Sequence, residues 1–443
     1  MSLPRYPEYK DSGERWLGAV PAHWQVHRLK NLFEIRKRIV GEEGHQVLSI
    51  TQRGIKIKDI ESNDGQLSMD YSKYQIVHPG DFAMNHMDLL TGFVDISSFA
   101  GVTSPDYRVF AVRDDVVCEP RYFLHLLQNG YRQKVFYAFG QGASEFGRWR
   151  FPTGQFNDFR FPCPPPEEQN AIAAFLDREI AKIDALVAEQ ENLITLLAEK
   201  RQATISHAVT RGLNPAVPME DSGVAWLGEV PASWEVKKLR HVANIVRGAS
   251  PRPAGDPLFF ASDNDSDKNC PWVTVAEVTK DEAIYLTEVT EYLTPTGVEN
   301  SQFFLTGTLI FTNSGATLGV PKILSIDCCA NDGILAFRQL STDVDIRFLY
   351  FFLSTTTQRL RTEMKQGGGQ PNLNTGIVKE ISLAVPPIVE QRSIVDFAEK
   401  ELCKLSSLQD EAETAIALLN ERRSALISAA VTGQIDVRNQ GML

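Results

Sequence analysis

Residues 11–29 read DSGERWLGAVPAHWQVHRL, and residues 221–239 read DSGVAWLGEVPASWEVKKL. The two stretches share 12 of 19 residues at an offset of 210, and the second begins near the middle of a chain of 443 residues. Internal repetition of this kind indicates a duplicated architecture, in which each copy forms a comparable structural unit.

A second pair of markers lies further along each copy. PPPEEQ at 164–169 matches PPIVEQ at 386–391, and the segments that follow align without a gap. The offset between the copies is 210 at the first marker and 222 at the second, so the middle of the second copy is longer. The ends of the copies are alike and their middles differ. The order is therefore variable domain, repeated segment, variable domain, repeated segment.

Both repeated segments are predicted to be long helices, near 167–209 and 389–431. Neither contains Gly or Pro until Gly212 and Gly433, and the proline and glutamate residues at their start suit a first helical turn. Because a long helix with an apolar stripe needs a partner, we expect the two to pack antiparallel. The apolar residues assigned to this seam, which would also serve for partner docking, are Ile172, Leu176, Ile183, Leu186, Leu193, Leu197, Ile394, Leu405, Leu408 and Leu419.

The two middles are predicted to be mixed α/β domains. An aromatic segment late in each, RYFLHLLQ at 121–128 and RFLYFFLS at 347–354, is typical of a core helix, and a glycine-rich loop follows it. Strand candidates, chosen for β-branched and aromatic content, are Gln46–Thr51, Tyr107–Arg113, Thr308–Thr312 and Ile334–Arg338.

These features predict a mixed α/β (α+β) fold with a pseudo-twofold internal repeat. Two globular domains would be separated by two long antiparallel coiled-coil helices. The predicted segments are a first domain at 1–165, a first spacer helix at 166–211, a second domain at 212–387, a second spacer helix at 388–435 and a tail at 436–443.

The formal net charge of −11 hides an uneven distribution, because residues 1–166 carry +1 and residues 212–387 carry −6. Phosphate binding requires a local basic surface, not a basic total. No apolar run approaches the roughly 20 residues that span a bilayer, and no signal peptide precedes the first marker. The six cysteines show no Cys-x-x-Cys spacing. We therefore expect a cytoplasmic protein with no metal site and no membrane partner.

Motifs for catalysis are missing from the sequence. It has no phosphate-binding Gly-x-x-x-x-Gly-Lys-Ser/Thr loop, no Gly-x-Ser-x-Gly elbow and no His-Glu-x-x-His pair. Asn269-Cys270-Pro271-Trp272 only loosely resembles the motif with which DNA amino-methyltransferases hold a flipped base. No glycine-rich S-adenosylmethionine loop accompanies it. We therefore predict that the chain is not an enzyme and holds no cofactor.

The paired markers resemble those of the specificity subunits of type I restriction–modification enzymes. The resemblance rests on DSG-x-x-WLG-x-VP-x-x-W-x-V, on PP-x-x-EQ and on GGGQPNLN at 367–374, and it covers residues 11–435. The first copy departs from the pattern, because its loop at 140–147 lacks the Gln-Pro-Asn run.

The resemblance implies two target-recognition domains, each of which reads one half of a bipartite, asymmetric site in double-stranded DNA. The helices would space these domains and dock two methyltransferase subunits. Restriction and translocation subunits would join through the complex, and S-adenosylmethionine and ATP would bind to the partner subunits.

Candidate DNA contacts are polar and basic residues in loops, because Arg, Asn and Gln can read base edges in the major groove. In the first domain these are Arg53, Lys56, Lys58, Arg148 and Arg150, and in the second they are Asn313, Ser314, Lys365, Gln370, Asn372 and Asn374.

Three other functions are alternatives to this interpretation. A DNA-reading subunit of a related methylation-based defence system, with no nuclease partner, fits the same sequence features. A self-contained methyltransferase is opposed by the missing cofactor loop. A structural coiled-coil adaptor is opposed by the two large variable domains.

Overall fold

The computed structural model describes residues 3–61, 68, 70–142, 149–261, 268–315, 317–362 and 373–439. Its contacts divide the chain into two compact units. Unit 1 comprises residues 1–191 and 413–443, and unit 2 comprises residues 192–412. Each unit therefore contains the first half of one long helix and the second half of the other.

Unit 1 contains twelve strands and three short helices in its described part, and the first long helix begins in it. The strands are β1 (Tyr9–Asp11), β2 (Ala19–Pro21), β3 (Gln25–Arg28), β4 (Phe33–Ile35), β5 (Leu48–Thr51), β6 (Gly54–Ile57), β7 (Gln75–Val77), β8 (Phe82–Met84), β9 (Val94–Ile96), β10 (Gly101–Thr103), β11 (Arg108–Val112) and β12 (Arg160–Cys163). The helices are α1 (Leu29–Leu32), α2 (Pro120–Arg132), α3 (Thr153–Asp158) and the long α4 (Pro166–Arg211).

Unit 2 repeats this order with additional strands. They are β13 (Met219–Asp221), β14 (Glu229–Pro231), β15 (Glu235–Lys238), β16 (Asn244–Arg247), β17 (Phe260–Ala261), β18 (Cys270–Val273), β19 (Tyr285–Leu286), β20 (Glu291–Leu293), β21 (Gln302–Phe304), β22 (Leu309–Thr312), β23 (Pro321–Leu324), β24 (Cys328–Ala330), β25 (Ile334–Arg338) and β26 (Ser382–Val385). The helices are α5 (Val275–Thr279), α6 (Pro295–Glu299), α7 (Ile346–Thr362), α8 (Thr375–Lys379) and the long α9 (Ile388–Val431), of which the last part lies in unit 1.

Each unit has its own central sheet, and the strand order of the two sheets is similar. In unit 1 the antiparallel strand order is β4-β11-β8-β9, and in unit 2 the order β16-β25-β22-β23 extends to β19. Unit 2 has a second five-stranded sheet, ordered β17-β20-β18-β24-β21. In both units a small antiparallel pair, β3 with β12 and β15 with β26, joins the first marker to the segment just before the long helix.

The long helices and the mixed α/β repeat confirm the predicted fold class. Helix α4 has 46 residues and helix α9 has 44. In unit 1 the two helices run antiparallel, because Asp184 of α4 pairs with Arg423 of α9 at 3.2 Å, while Ile172 and Val431 share the core. Among the described residues, no helix combines the length and hydropathy that crossing a membrane requires.

The glutamine of each PP-x-x-EQ marker is buried and fixes the start of its long helix. Gln169 donates to the carbonyl of Pro164 at 2.8 Å and accepts from the backbone N–H of Glu119 at 2.9 Å. Gln391 makes the equivalent bonds to Pro386 and Asp345, both at 2.7 Å. One amide side chain can donate and accept at the same time. It therefore ties the long helix to the residue that precedes the aromatic helix, α2 or α7.

The other end of each helix rests on the first marker. Gly433 after α9 has φ +76°, and an added Cβ would lie 2.4 Å from Pro21. Gly212 after α4 has φ +75°, and a Cβ there would lie 3.2 Å from Trp234. Glycine suits this left-handed helix end. The Val-Pro-x-x-Trp marker thus provides the surface on which a long helix ends.

We predict that Gln391→Leu lowers the free energy of unfolding by about 2–4 kcal/mol, because buried peptide groups lose their partners. Urea unfolding followed by circular dichroism measures this. Gln202→Leu is the matched control, since Gln202 is an exposed residue of α4. Equal unfolding midpoints for the two variants would show that the buried glutamine does not anchor the helix.

Candidate nucleic-acid interface

Two of the three basic residues predicted to bind DNA near β5 and β6 are exposed. Arg53 lies in the turn between these strands, and Lys56 lies on β6; Lys58 follows β6 and is half-buried. The hydroxyl of Thr51 accepts from the Arg53 N–H at 3.1 Å and donates to the Gly54 carbonyl at 2.8 Å. The turn therefore holds the Arg53 backbone and leaves its guanidinium toward solvent.

Arg150 lies at the base of the glycine-rich loop of unit 1. Its N–H donates to the Gln141 carbonyl at 3.0 Å, and the Gln141 N–H donates to the Arg150 carbonyl at 2.8 Å. The Arg150 side chain is exposed. Arg148, also predicted to contact DNA, lies outside the described residues.

The residue that follows the central strand holds the far end of this loop in both units. The carbonyl of His86, after β8, accepts from Phe151 N–H at 2.8 Å. The carbonyl of Asn313, after β22, accepts from Leu373 N–H at 2.7 Å. These bonds place Phe151 and Leu373, which follow the glycine-rich segments in the sequence, at the same end of the two central sheets.

In unit 2 the predicted DNA contacts have different surroundings. Asn313, which the sequence predicts to contact DNA, is only 1% exposed, and its side-chain amide donates to the Leu373 carbonyl at 3.3 Å. Ser314 is half-buried. Asn374 is exposed, and its side-chain oxygen caps α8 by accepting from Ile377 N–H at 2.8 Å. Lys365, Gln370 and Asn372 lie outside the described residues.

The DNA contacts predicted from the sequence do not include two residues near this site, His86 and Arg108. Arg108 begins β11 opposite Met84 of β8, and His86 lies two residues beyond Met84, so both are at the loop end of the sheet. Arg108 is 4% exposed. The sequence offered only a weak signal for it, a single arginine within a strand of apolar residues.

The predicted helix residues divide into buried and exposed groups. Ile172, Leu176, Ile183, Leu197, Ile394 and Leu405 are buried, and Leu419 is half-buried. Leu186, Leu193 and Leu408 are 45%, 40% and 46% exposed, so within this chain they do not form part of a seam. Apolar spacing identifies a stripe on a helix, but the stripe here is wider than the surface that the chain itself covers.

The described residues contain neither a disulfide bond nor a candidate metal site. All six cysteines are free thiols. Across the residues that the structure describes, no group of three His, Cys, Asp or Glu side chains could hold a metal ion.

The chain is similar to curated specificity subunits. It is 23% identical over 398 residues to the type I restriction enzyme EcoDI specificity subunit of Escherichia coli, covering 84% of this chain and 83% of that protein. It is 22% identical over 392 residues to the EcoKI specificity subunit of Escherichia coli K12, with 85% and 75% covered.

Two solved structures share the fold. One, from a study of complex assembly and conformational transition of the type I R-M system, has a TM-score of 0.65 at 16% identity and covers 93% of this chain and 98% of its own. The HsdS subunit from Thermoanaerobacter tengcongensis has a TM-score of 0.52 at 14% identity and covers 94% and 98%.

The family model of the type I restriction modification DNA specificity domain matches this chain twice, at residues 21–196 and 231–404. These ranges cover most of the chain and correspond to its two repeats. The chain therefore belongs to the family of type I restriction–modification DNA specificity subunits.

Proposed function

We propose that each variable domain reads one half of a bipartite, asymmetric site in double-stranded DNA. The observation that carries this proposal is a duplicated frame that holds two unlike domains. The hydrogen bonds of Gln169 and Gln391 and the glycine helix ends repeat in both copies, while among the described residues only unit 2 has a second large sheet, of five strands. Two readers on one repeated frame suit paired half-sites at a fixed separation, and unlike readers make the site asymmetric.

Basic and amide residues in turns and near strand ends are the proposed DNA contacts. Arg53, Lys56 and Arg150 present exposed side chains in unit 1. Residues of this type bind phosphates or read base edges. The relatives named above are type I restriction enzyme subunits, which favours this function over a defence system without a nuclease partner.

The long helices are the proposed docking surface for two methyltransferase subunits. Leu186, Leu193, Leu196, Leu408 and Leu418 on these helices are all at least 40% exposed. A set of exposed large apolar side chains on a rigid element is typical of a protein interface. Restriction and translocation subunits would join through the resulting complex.

Catalysis is assigned to the partner subunits. The sequence has no motif for S-adenosylmethionine or ATP, so both would bind to the partners. This chain would supply sequence recognition alone, in the cytoplasm, where the DNA is.

Exchange of one reader should change one half-site. Replacing residues 240–381 with the matching segment of another family member keeps the β15–β26 pair and the bond from Gln391 to the Pro386 carbonyl, while the new segment supplies the backbone groups at positions 343 and 345. Genome-wide methylation mapping of cells that express the chimaera with its partner subunits should show one new half-site and one old half-site. Two changed half-sites, or none, would refute separate readers.

Docking should fail when exposed leucines of the helices become charged. Leu193→Asp with Leu408→Asp would bury unpaired carboxylates in the interface at a cost of several kcal/mol, and co-purification with the methyltransferase subunits measures the loss. Both sites are exposed, so the fold should survive, whereas a charge at buried Leu197 would test folding instead. Leu258→Asp, at a site 58% exposed outside the helices, is the control. Unimpaired assembly of the double variant would exclude this surface.

The purified chain should transfer no methyl group to DNA when supplied with radiolabelled S-adenosylmethionine. Adding the methyltransferase subunits to the same reaction should produce transfer to adenine or cytosine in DNA. Methyl transfer by the isolated chain would contradict its assignment as a recognition subunit.

A further inference from the structure

A small basic pocket lies at the loop end of the central sheet in unit 1. Its volume is about 370 Å³, and its lining includes His86, Gln141, Arg150, Phe151 and Thr153. Every one of these residues is within the described part of the chain, and the described lining contains no carboxylate. Arg150 is exposed at its mouth.

A buried arginine lies directly behind the lining. The Arg108 guanidinium donates to the Phe151 carbonyl at 2.9 Å and to the Thr153 hydroxyl at 3.4 Å, and it stacks 4.4 Å from the centre of the Phe156 ring. Its Nη1 atom is buried and has no hydrogen-bond partner. Among the described ion pairs, none includes Arg108.

Burial of an unpaired cation is costly, because the charge leaves water without gaining a counter-charge. Desolvation lowers the pKa of Arg108 to about 10, so the guanidinium remains charged at neutral pH. The protein thus retains a buried positive charge that lacks a negative partner within the described chain.

The surroundings of His86 also indicate an excess of positive charge at this site. Its Nδ1 atom is buried without a partner. Desolvation, followed by the charges of Arg108 and Arg150, lowers the pKa of His86 to about 3. The imidazole is therefore neutral, and it faces two cations rather than a carboxylate.

We propose that this pocket binds a phosphate group of the DNA backbone, with Arg150 at its mouth and Arg108 behind it as the fixed counter-charge. The inference rests on the proposed DNA-reading function and assigns one subsite to it. A phosphate bound by Arg150 would place the missing negative charge near Arg108, and arginine–phosphate bonds are among the stronger hydrogen bonds in proteins.

Among the described residues, the buried arginine of unit 1 has an apolar counterpart in unit 2. In register, Arg108 lies opposite Met84, whereas the corresponding position opposite Phe311 in unit 2 is Leu335. Equivalent ends of the two sheets therefore carry a buried cation in one domain and an apolar side chain in the other. A phosphate contact here orients the first domain on DNA and carries no base information of its own.

The test uses the full chain and a fluorescent duplex of arbitrary sequence, since phosphate contacts do not depend on sequence. Fluorescence anisotropy across a series of potassium chloride concentrations gives the affinity and its salt slope. Arg150→Gln should weaken binding roughly tenfold and reduce the salt slope by about one unit. Arg113→Gln is the matched control, because Arg113 follows the other end of β11 and pairs with Asp115 at 3.4 Å.

Arg108→Met should have the same effect on the slope, and Arg150→Gln keeps the test decisive if the buried variant does not fold. A slope that Arg150→Gln leaves unchanged would overturn the proposal. If that variant instead relaxes one position of the methylated site, the pocket reads a base and the phosphate assignment is wrong.

A second arm compares melting temperatures in sodium phosphate and in sodium chloride of equal ionic strength. Phosphate should stabilise the wild-type chain more than it stabilises Arg150→Gln. Stabilisation by inorganic phosphate with an unchanged DNA salt slope would mean that the pocket takes free phosphate, and its assignment to DNA would fail. Failure of the reading function itself would appear separately, in the reader exchange.

Discussion

One buried glutamine in each copy fixes where a long helix begins, and the rest of the architecture depends on it. Gln391 donates to the carbonyls of Pro386 and Asp343 and accepts from the N–H of Asp345. Asp345 in turn caps the aromatic helix by accepting from Arg347 N–H at 2.9 Å. The same amide therefore joins the end of the variable domain, the aromatic helix and the long helix. A glutamate could not replace it, because a carboxylate cannot donate to the two carbonyls.

The two copies differ in the polar contacts around this buried glutamine. In unit 1, Glu168 is buried and accepts from Tyr6 Oη at 2.5 Å and from Trp24 Nε1 at 2.9 Å. Burial, together with the Glu168 carboxylate, raises the pKa of Tyr6, so the phenol stays protonated and donates. In unit 2 the equivalent Trp234 Nε1 is buried without a hydrogen-bond partner. Both copies therefore retain the buried glutamine and its hydrogen bonds, while the polar contacts of the neighbouring residues differ.

Sequence could predict the frame because the frame is encoded locally. Helices α4 and α9 follow from the absence of Gly and Pro over a long stretch, and the strands follow from β-branched and aromatic content. The strand predicted at Ile334–Arg338 is observed with those bounds, and the other three are observed slightly shorter.

What sequence could not predict depends on contacts between distant residues. The Asp436 N–H donates to the Pro4 carbonyl at 2.8 Å, and the Tyr9 hydroxyl donates to the Gly433 carbonyl at 3.0 Å, so the end of the chain completes unit 1. Residue type alone is also a poor guide to which side chains are buried. Asn313 is a typical loop residue but lies in the interior, while Arg108 sits in an apolar strand and borders a pocket.

A repeated frame with unlike side chains at one position explains how such a protein can change what it reads. The carbonyls of His86 and Asn313 accept from the N–H groups of Phe151 and Leu373 in the same way, and a carbonyl acceptor is available at any residue. The side chains at positions 86 and 313 can therefore vary without loss of these backbone hydrogen bonds. In unit 1 the side chain is an imidazole near Arg108 and Arg150. In unit 2 it is an amide, and the adjacent strand β25 carries Leu335 at the position of Arg108. The backbone sets where each domain meets DNA, and the side chains around that point set which groups of the DNA it contacts.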